Sequence, residues 1–453
     1  MFENETAAPP RRLRYPVMIE MVILCALAIV LAIALAMIHS LVSERFERSR
    51  AARAEIASGW GQEQTIGGPM LIVPYRVRTD EKTITEYHAR FLPSQLKIKG
   101  SVAPERRHRG IFQSVLYRSD LHVEGVFERP DFSMWKVAPE DIEWGDAVLA
   151  VGLTDLRGIR GNPVLKWDGQ QLPFTGSSTD GSLFLSGVHV VIPFAPAPTA
   201  VGEKHAFSFD LRLNGSESIS FLPFGGETIV ELSSPWPDPS FSGAFLPDTR
   251  TVTPQGFTAR WNISSIGRNF PQQWRDSNDE HKNALDAIGK SAFGTGLFSP
   301  VGHYQKTERS VKYGVLFIIL TFLTFFLYEL LSPVTLHPVQ YFLVGGALCL
   351  FYLLLLSISE QASFDIAYAI ASIATVGLIS AYGAALLRNR MRVLGLCGVM
   401  SMLYGYLYVL LQLEDWALLM GSIGLFAILA LVMYATRNVD WGQAHIAPAS
   451  LAK

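Results

Sequence analysis

Six long apolar runs constrain this chain of 453 residues more than any other feature of its sequence. Each run is close to the roughly 20 residues that a helix needs to cross the hydrocarbon core of a membrane. Residues 313–434 carry only eight formal charges, and most of the other charged residues precede them. The sequence therefore predicts a bundle of six transmembrane helices, at residues 21–42, 313–331, 339–357, 366–387, 393–413 and 416–435.

The first run could also be the core of a signal peptide, because Arg11, Arg12 and Arg14 precede it. A small-x-small pair, Ala34 and Ala36, even resembles a cleavage site. A signal core, however, is usually only about 7–15 residues long. The first run is longer and contains no formal charge, which favours an uncleaved membrane anchor.

The orientation of the helices follows from Lys and Arg, which mark the cytoplasmic side when they lie in short loops. The N-terminal arginines predict a cytoplasmic N-terminus, and six crossings return the C-terminus to the same side. The loop 388–392 then lies inside with three arginines, whereas the loops 360–365 and 414–415 lie outside and lack Lys and Arg. Three basic residues between 306 and 312 disagree, but long translocated segments cross largely regardless of charge.

One long polar segment, residues 43–310, separates the first two predicted helices. Its alanine-rich start, 43–58, favours a helix that continues out of the membrane. After Gly59, short β-branched and aromatic runs alternate with Gly, Pro, Asn and Asp clusters, which is typical of strands and turns. Within 205–213 every second residue is Phe or Leu, the period of a half-buried strand.

We therefore predict a large all-β or mainly β domain, of sandwich or barrel type, inserted between helices one and two. The chain would divide into an N-terminus with the first helix at 1–42, the β domain at 43–310, a five-helix bundle at 311–436 and a cytoplasmic tail at 437–453.

No catalytic signature is present in the sequence, which lacks a phosphate-binding loop, a His-Glu-x-x-His pair and a Gly-x-Ser-x-Gly turn. The three cysteines, Cys25, Cys349 and Cys397, all lie in apolar runs, so the polar segment has neither disulfides nor a cysteine-built zinc site. A net charge of −2 argues against a nucleic-acid partner. We expect no enzyme activity, no cofactor and no metal site.

Polar side chains within or beside the apolar runs are the candidate functional positions. They are Glu329, Glu360, Tyr404, Tyr408, Gln412, Glu414 and Asp415. The two tyrosines and Gln412 recur at four-residue spacing and therefore share one helix face, which leads to the last two acids. Ionisable groups in membranes are costly and often functional, so these positions fit a proton or substrate path. Near the interfaces they also fit helix packing and hydrogen bonding, which we favour.

Two further patterns leave alternatives open. Ala28, Ala32 and Ala36 form a stripe of small residues on the first helix, which predicts close helix packing. The basic cluster at 106–109 is either a solvated loop, which we favour, or a contact for anionic lipid or cell-wall polymer.

Several motifs carry a resemblance to a known family. In the polar segment they are residues 68–75 (GPMLIVPY), 109–112 (RGIF), 234–241 (SPWPDPSF), 245–247 (FLP) and 256–261 (GFTARW). In the membrane half they are residues 312–317 (KYGVLF), 320–329 (LTFLTFFLYE), 337–345 (HPVQYFLVG), 350–360 (LFYLLLLSISE), 403–415 (LYGYLYVLLQLED) and 436–441 (TRNVDW). Through these motifs the chain resembles the CreD family of bacterial inner-membrane proteins along nearly its whole length. One departure is Gln361, where the family pattern leads us to expect His.

The resemblance implies a Gram-negative inner membrane with the β domain in the periplasm. It also implies a role in cell-envelope integrity, with links to two-component signalling, colicin tolerance and the β-lactam response. It implies no catalytic residues, and Gln361 weakens any case for proton chemistry at that site.

Three functional hypotheses follow. The first is a non-enzymatic inner-membrane factor that supports envelope integrity, with membrane lipids around it and an unknown envelope protein or cell-wall component bound to its β domain. The alternative is a lipid or small-solute transporter, or a flippase, that uses the membrane carboxylates. A periplasmic enzyme acting on envelope polymers ranks last.

Overall fold

The computed structural model describes residues 17–80, 83–177, 186–194, 203–276, 278–297, 303–331, 336–387, 390–413 and 416–437. The chain divides into two compact units. The helical unit combines residues 1–48 with 301–453, and the β unit comprises residues 49–300. The division falls within the first helix, α1 (Val17–Ser58), which continues through the predicted helical segment 43–58.

The strands of the β unit follow one another along the chain with one helix near the end. They are β1 (Gln64–Asp80), β2 (Thr83–Phe91), β3 (Gln95–Arg109), β4 (Phe112–Glu128), β5 (Val148–Leu153), β6 (Val164–Trp167), β7 (Gln170–Pro173), β8 (Thr175–Ser177), β9 (Gly187–Val191), β10 (Lys204–Ser216), β11 (Ser218–Phe221), β12 (Glu227–Ser234), β13 (Ser240–Gly243), β14 (Thr249–Thr253), β15 (Gly256–Ser264), β16 (Gln273–Arg275) and β17 (Phe293–Gly296), with the helix α2 (Asn278–Lys290) before the last strand.

These strands form two sheets. The nine-stranded sheet has the order β13-β17-β11-β1-β5-β9-β8, and β2 pairs with β1 and with β16. The eight-stranded sheet has the order β14-β15-β12-β3-β4-β10-β6-β7. Pairing is antiparallel except between β1 and β11 and between β3 and β12. The large β domain predicted from the short apolar runs is confirmed.

The inward side chains of both sheets form one hydrophobic core. The alternation predicted at 205–213 is confirmed in β10, where Phe207, Phe209, Leu211 and Leu213 are buried and their neighbours are more exposed. Trp261 of β15 is completely buried in this core. Burial of apolar area on this scale is the main force that holds two sheets together in water.

The helical unit contains α1 and six further helices among the described residues. They are α3 (His303–Lys312), α4 (Gly314–Leu331), α5 (Pro338–Ser359), α6 (Phe364–Leu387), α7 (Arg390–Gln412) and α8 (Ala417–Thr436). Five helices in the described part of the chain, α1 and α5 to α8, are long and apolar enough to cross a membrane. The pair α3 and α4 adds a sixth span if these two helices, which meet at a bend of 44°, form one crossing.

Helix α1 packs closely against α4 and α5 because those helices provide glycines. A Cβ at Gly345 would overlap Leu31, and a Cβ at Gly314 would lie 2.9 Å from Leu35 Cδ1. Both leucines are buried, whereas Ala36 of the predicted alanine stripe is exposed. The contacts of α1 with these two glycines therefore run through Leu31 and Leu35, while Ala28 and Ala32 of the predicted stripe are half-buried. Close approach needs a small residue on only one of two facing helices.

Candidate functional site

Glu329 lies at the end of α4 that leads to α5, with only 3% of its surface exposed. Its Oε1 accepts a hydrogen bond from the Leu336 amide at 2.9 Å, and its Oε2 accepts one from the Tyr341 hydroxyl at 3.0 Å. A buried carboxylate requires such partners, because an unsatisfied one is costly. The contacts fasten the start of α5 to the end of α4, as expected for a packing role.

Glu360 directly follows α5. Its Oε1 accepts a hydrogen bond from the Tyr304 hydroxyl at 3.0 Å and lies 4.0 Å from Arg45 Nε. Tyr304 belongs to α3 and Arg45 to α1, so this carboxylate joins three helices at one end of the unit.

Tyr408 and Gln412 converge on Asp365, as the four-residue spacing on α7 allows. Asp365 Oδ1 accepts hydrogen bonds from the Tyr408 hydroxyl at 3.0 Å and from Gln412 Nε2 at 2.9 Å. The Gln412 Oε1 in turn accepts one from Lys306 Nζ at 3.1 Å. Lys306 also lies 5.5 Å from the centre of the Phe364 ring, a cation–π contact with α6.

We call these two groups together the polar cap. One group consists of Arg45, Tyr304 and Glu360, and the other of Lys306, Asp365, Tyr408 and Gln412. Sequence reasoning identified Glu360, Tyr408 and Gln412 but missed the other four. For Asp365 the sequence showed only an acid at the start of a predicted span, which does not reveal the helix that it faces. For Lys306 the only sequence signal was that it is a basic residue on the predicted outer side, where Lys and Arg are not expected in short loops.

Tyr404 does not belong to the polar cap, although it shares a helix face with Tyr408. It is buried, and its ring centre lies 4.7 Å from that of Phe351. Its backbone carbonyl accepts a hydrogen bond from the Tyr368 hydroxyl at 2.7 Å. Tyr404 therefore packs within the bundle, one turn further from its end.

Glu414 and Asp415 lie outside the described residues. Within the described ranges, no group of three or more His, Cys, Asp or Glu residues is arranged to hold a metal ion.

A second candidate site lies on the β unit, where two adjoining depressions of about 310 and 660 Å³ share Lys99, Gly100 and Ser233. We call them together the sheet groove. One row of paired residues crosses five strands of the eight-stranded sheet beneath it, in the order Arg260, Glu231, Lys99, His122 and Asp210. The neighbouring row is Thr258, Ser233, Ser101, Asp120 and Arg212.

The acids of the sheet groove each have a basic partner within the chain. Arg260 Nε lies 3.8 Å from Glu231 Oε1, Arg160 donates to Asp120 at 2.8 Å, and His122 Nδ1 lies 2.7 Å from Asp210 Oδ1. Lys99, which is common to both depressions, has no ion pair among the residues that the structure describes. The centre of the groove therefore offers a cation and several hydroxyl groups to a partner.

The basic cluster at 106–109 is not the loop that the sequence suggested, because its residues extend the strand β3. Arg107 lies over the Trp60 ring at 4.4 Å, Arg106 over the Trp236 ring at 5.1 Å, and Arg109 forms an ion pair with Glu55. The three guanidinium groups thus hold the end of a long hairpin against its surroundings within the β unit, a role that neither sequence alternative anticipated.

The junction between α1 and the sheets, within the β unit, is centred on Asp155. Its carboxylate accepts hydrogen bonds from the Gln62 amide at 3.1 Å and from Arg157 Nε at 2.9 Å. Arg157 also donates to the Ser58 carbonyl at the end of α1, at 3.0 Å. Burial alone would raise the pKa of Asp155, but the hydrogen bonds from Arg157 and Gln62 outweigh it, so this pKa is lowered.

Glu217 lies in the tight connection between β10 and β11 with φ of +57°. Burial raises the pKa of its carboxyl group, and nearby Glu63 adds to this, while Arg53 and Arg50 oppose it. The Glu217 carboxylate is therefore held at some cost in free energy at neutral pH.

A family model described as Inner membrane protein CreD matches residues 16–442 of this chain. The chain belongs to the CreD family. A curated relative, Inner membrane protein CreD of Escherichia coli (strain K12), is 31% identical over 441 residues, which cover 95% of this chain and 94% of that protein. The resemblance predicted from the sequence motifs is confirmed.

Among solved structures, a crystal structure of an M1 zinc metallopeptidase from Deinococcus radiodurans matches 40% of this chain with 12% identity and a TM-score of 0.20. The chain spans 40% of the length of that structure. A TM-score this low supports no argument about fold or chemistry.

Membership of the CreD family agrees with the long apolar helices of the structure. The family and the curated relative assign this chain to the inner membrane, and the helices are long and apolar enough to span it. The two candidate sites, the polar cap and the sheet groove, therefore lie on an inner-membrane protein whose matched region includes both of them.

Proposed function

We propose that this member of the CreD family is a non-enzymatic inner-membrane factor that supports cell-envelope integrity, and that its β unit binds an envelope protein or cell-wall component. The observation that carries the proposal is the sheet groove, an extended polar surface. At its centre lies Lys99, which forms no ion pair with the described residues. The distribution of Lys and Arg in the loops supports a periplasmic β unit and cytoplasmic termini.

The hydrogen bonds that the candidate carboxylates accept support an anchoring role for the helices. Glu329 and Glu360 both accept hydrogen bonds that join one helix to the next. A carboxylate that fastens helices in this way is poorly placed to exchange protons or substrate during a transport cycle. The helices would then anchor and orient the β unit.

The partner would carry acidic or hydroxyl groups, since these complement Lys99 and the neighbouring serines and threonines. Nucleic acid is not expected, because the net charge of the chain is −2.

The proposal is tested in a strain that lacks the native protein, complemented with the full chain and scored for sensitivity to detergent or dye. We expect Lys99→Glu to lose complementation at an equal protein level, because it reverses the charge at the centre of the groove. Lys97→Glu is the matched control: Lys97 lies on the same strand and face, outside both depressions, and pairs with Glu124 at 3.3 Å. Equal complementation by both variants would overturn the proposal.

A second candidate function, lipid or small-solute transport, is favoured by the polar cap, where Gln412 bonds both Asp365 and Lys306 near the end of the helices. If Glu360→Gln and Asp365→Asn abolish complementation while Lys99→Glu preserves it, the transport function replaces the first. An enzyme would be indicated instead if the purified full chain turned over a cell-wall or lipid substrate.

A further inference from the structure

A groove of about 630 Å³ runs between α6 and α7 in the helical unit. It is lined on α6 by residues between Asp365 and Gly377 and on α7 by residues between Cys397 and Tyr408. At 1.5 Å per residue, the lining on α6 is about 18 Å long. That length is somewhat more than half of the roughly 30 Å hydrocarbon thickness, so the groove matches one leaflet of a bilayer.

Small side chains open this groove. Its lining includes Ala369 and Gly377 on α6 and Gly405 on α7, which have little or no side chain. An added Cβ at Gly377 or Gly405 would meet no atom within 4 Å. The helices carry Tyr368 and Tyr408 at one end of the groove, toward the polar cap. The groove therefore has one polar end and a mainly apolar stem, whose lining also includes Ser372 and Ser401.

At the polar end, the Asp365 carboxylate has hydrogen-bond partners within the described chain on only one of its two oxygens. Both hydrogen bonds to Asp365, from Tyr408 and Gln412, go to Oδ1. Oδ2 has no hydrogen bond or ion pair with any residue that the structure describes. Asp365 is exposed in the first turn of α6, so a cation from outside the chain can reach Oδ2 and would be attracted to its charge.

A positive charge stands on the other side of the same hydrogen-bonded network. Lys306 donates to the Gln412 Oε1 at 3.1 Å and has no carboxylate partner within the described part of the chain. The polar end of the groove thus offers one anionic and one cationic group, linked through Gln412. This charge pattern is complementary to a zwitterion that is joined to a hydrocarbon chain.

We propose that the groove between α6 and α7 binds one acyl chain of an amine-bearing phospholipid, with the lipid ammonium group at Asp365 and the lipid phosphate at Lys306. A volume of about 630 Å³ is within the range of small-molecule pockets in proteins. The groove belongs to the helical unit alone, so this site does not depend on the partner assigned to the β unit.

The test compares two lipids with identical acyl chains, phosphatidylethanolamine and phosphatidylglycerol, added to the full chain in detergent. Native mass spectrometry counts the lipids that each protein molecule retains. We expect about fivefold greater retention of phosphatidylethanolamine, which is the size of preference that a partly exposed ion pair supplies. Equal retention of the two lipids would overturn the assignment of the head group.

Two variants separate the head-group contact from the acyl-chain contact. Asp365→Asn keeps an oxygen that accepts from Tyr408 and Gln412, and we expect it to abolish the preference between the two lipids. Gly405→Leu fills the groove, and we expect it to lower the retention of both lipids severalfold.

Gly398→Leu is the control for the second variant. Gly398 lies on α7, outside the lining of the groove, and an added Cβ there also meets no atom within 4 Å. Its lipid retention should equal that of the unchanged protein. The groove is not the binding site if Gly405→Leu and Gly398→Leu behave alike, provided that both proteins elute as the same species as the parent.

Discussion

The helical unit and the β unit bury their apolar residues according to different rules. In the β unit, large apolar side chains such as Trp261 are inside, because water covers the outside. In the helical unit, α8 is as apolar as α5, yet none of its most apolar stretch is buried, compared with 56% of that of α5. Hydrophobicity therefore identifies the core in one unit, whereas in the other it identifies only residence in a membrane.

The largest test of this contrast removes one large ring from each unit. Trp261→Ala leaves a cavity in the β core and should lower the free energy of unfolding by about 3–5 kcal/mol. Phe426→Ala on α8, where the ring is 75% exposed in the structure, should change it by less than about 0.5 kcal/mol. Chemical unfolding of the full chain in detergent measures both. Comparable losses for the two variants would show that the contrast is wrong.

The next largest effect on stability is expected from the Asp155 charge in the β unit. Asp155→Asn should destabilise the full chain at neutral pH by about 1.5–3 kcal/mol, because it weakens charge-assisted hydrogen bonds at the junction with α1. Since the pKa of Asp155 is lowered by folding, its contribution is present above the ordinary value of 3.8 and is lost as the pH falls through the folded value.

Melting temperatures across this pH range should therefore converge for Asp155→Asn and the unchanged protein at the acidic end. Asp286→Asn is the control, because Asp286 is exposed and its ion-pair partner, Lys290, lies on the same helix. A deficit that stays constant with pH would contradict the assigned role of the Asp155 charge.

A smaller loss is expected in the helical unit. Glu329→Ala removes the acceptors of the Leu336 amide and the Tyr341 hydroxyl. Hydrogen bonds between helices in membranes contribute about 0.6 kcal/mol each on average, so the two together should cost about 1.2 kcal/mol. Tyr341→Phe removes one of the two bonds and should cost less. Unfolding in mixed micelles with increasing denaturing detergent compares the two variants, and equal losses would show that the Leu336 contact contributes nothing.

The smallest effect has the opposite sign. The pKa of Glu217 is raised by folding, so its contribution to stability is present below its ordinary value of 4.5 and is lost as the pH rises through the folded value. Glu217→Gln should therefore stabilise the chain at neutral pH, by less than about 1 kcal/mol. The difference in melting temperature should shrink as the pH is lowered below 4.5, and a variant less stable at neutral pH would refute this.

The same contrast explains what could be predicted from the sequence. Alternation along β10 predicts its buried residues, because one face of that strand meets water. The spacing of Tyr408 and Gln412 predicts a shared face, because that depends on one helix only. The convergence of this face on Asp365 was not predictable, since it depends on which helices are neighbours. Gly314 and Gly345, which let α1 approach closely, lie on α4 and α5. They were not predicted as contacts of α1 for the same reason.

The contacts of α3 set an order in which the polar cap can assemble during synthesis. Helix α3 is synthesised before its partners. Glu360 follows Tyr304 by 56 residues, and Gln412 follows Lys306 by 106 residues. A ribosome must therefore complete α7 before the polar cap can close. A chain that stops after α6 lacks the last of these partners, so closure of the cap marks a bundle that has been built through α7.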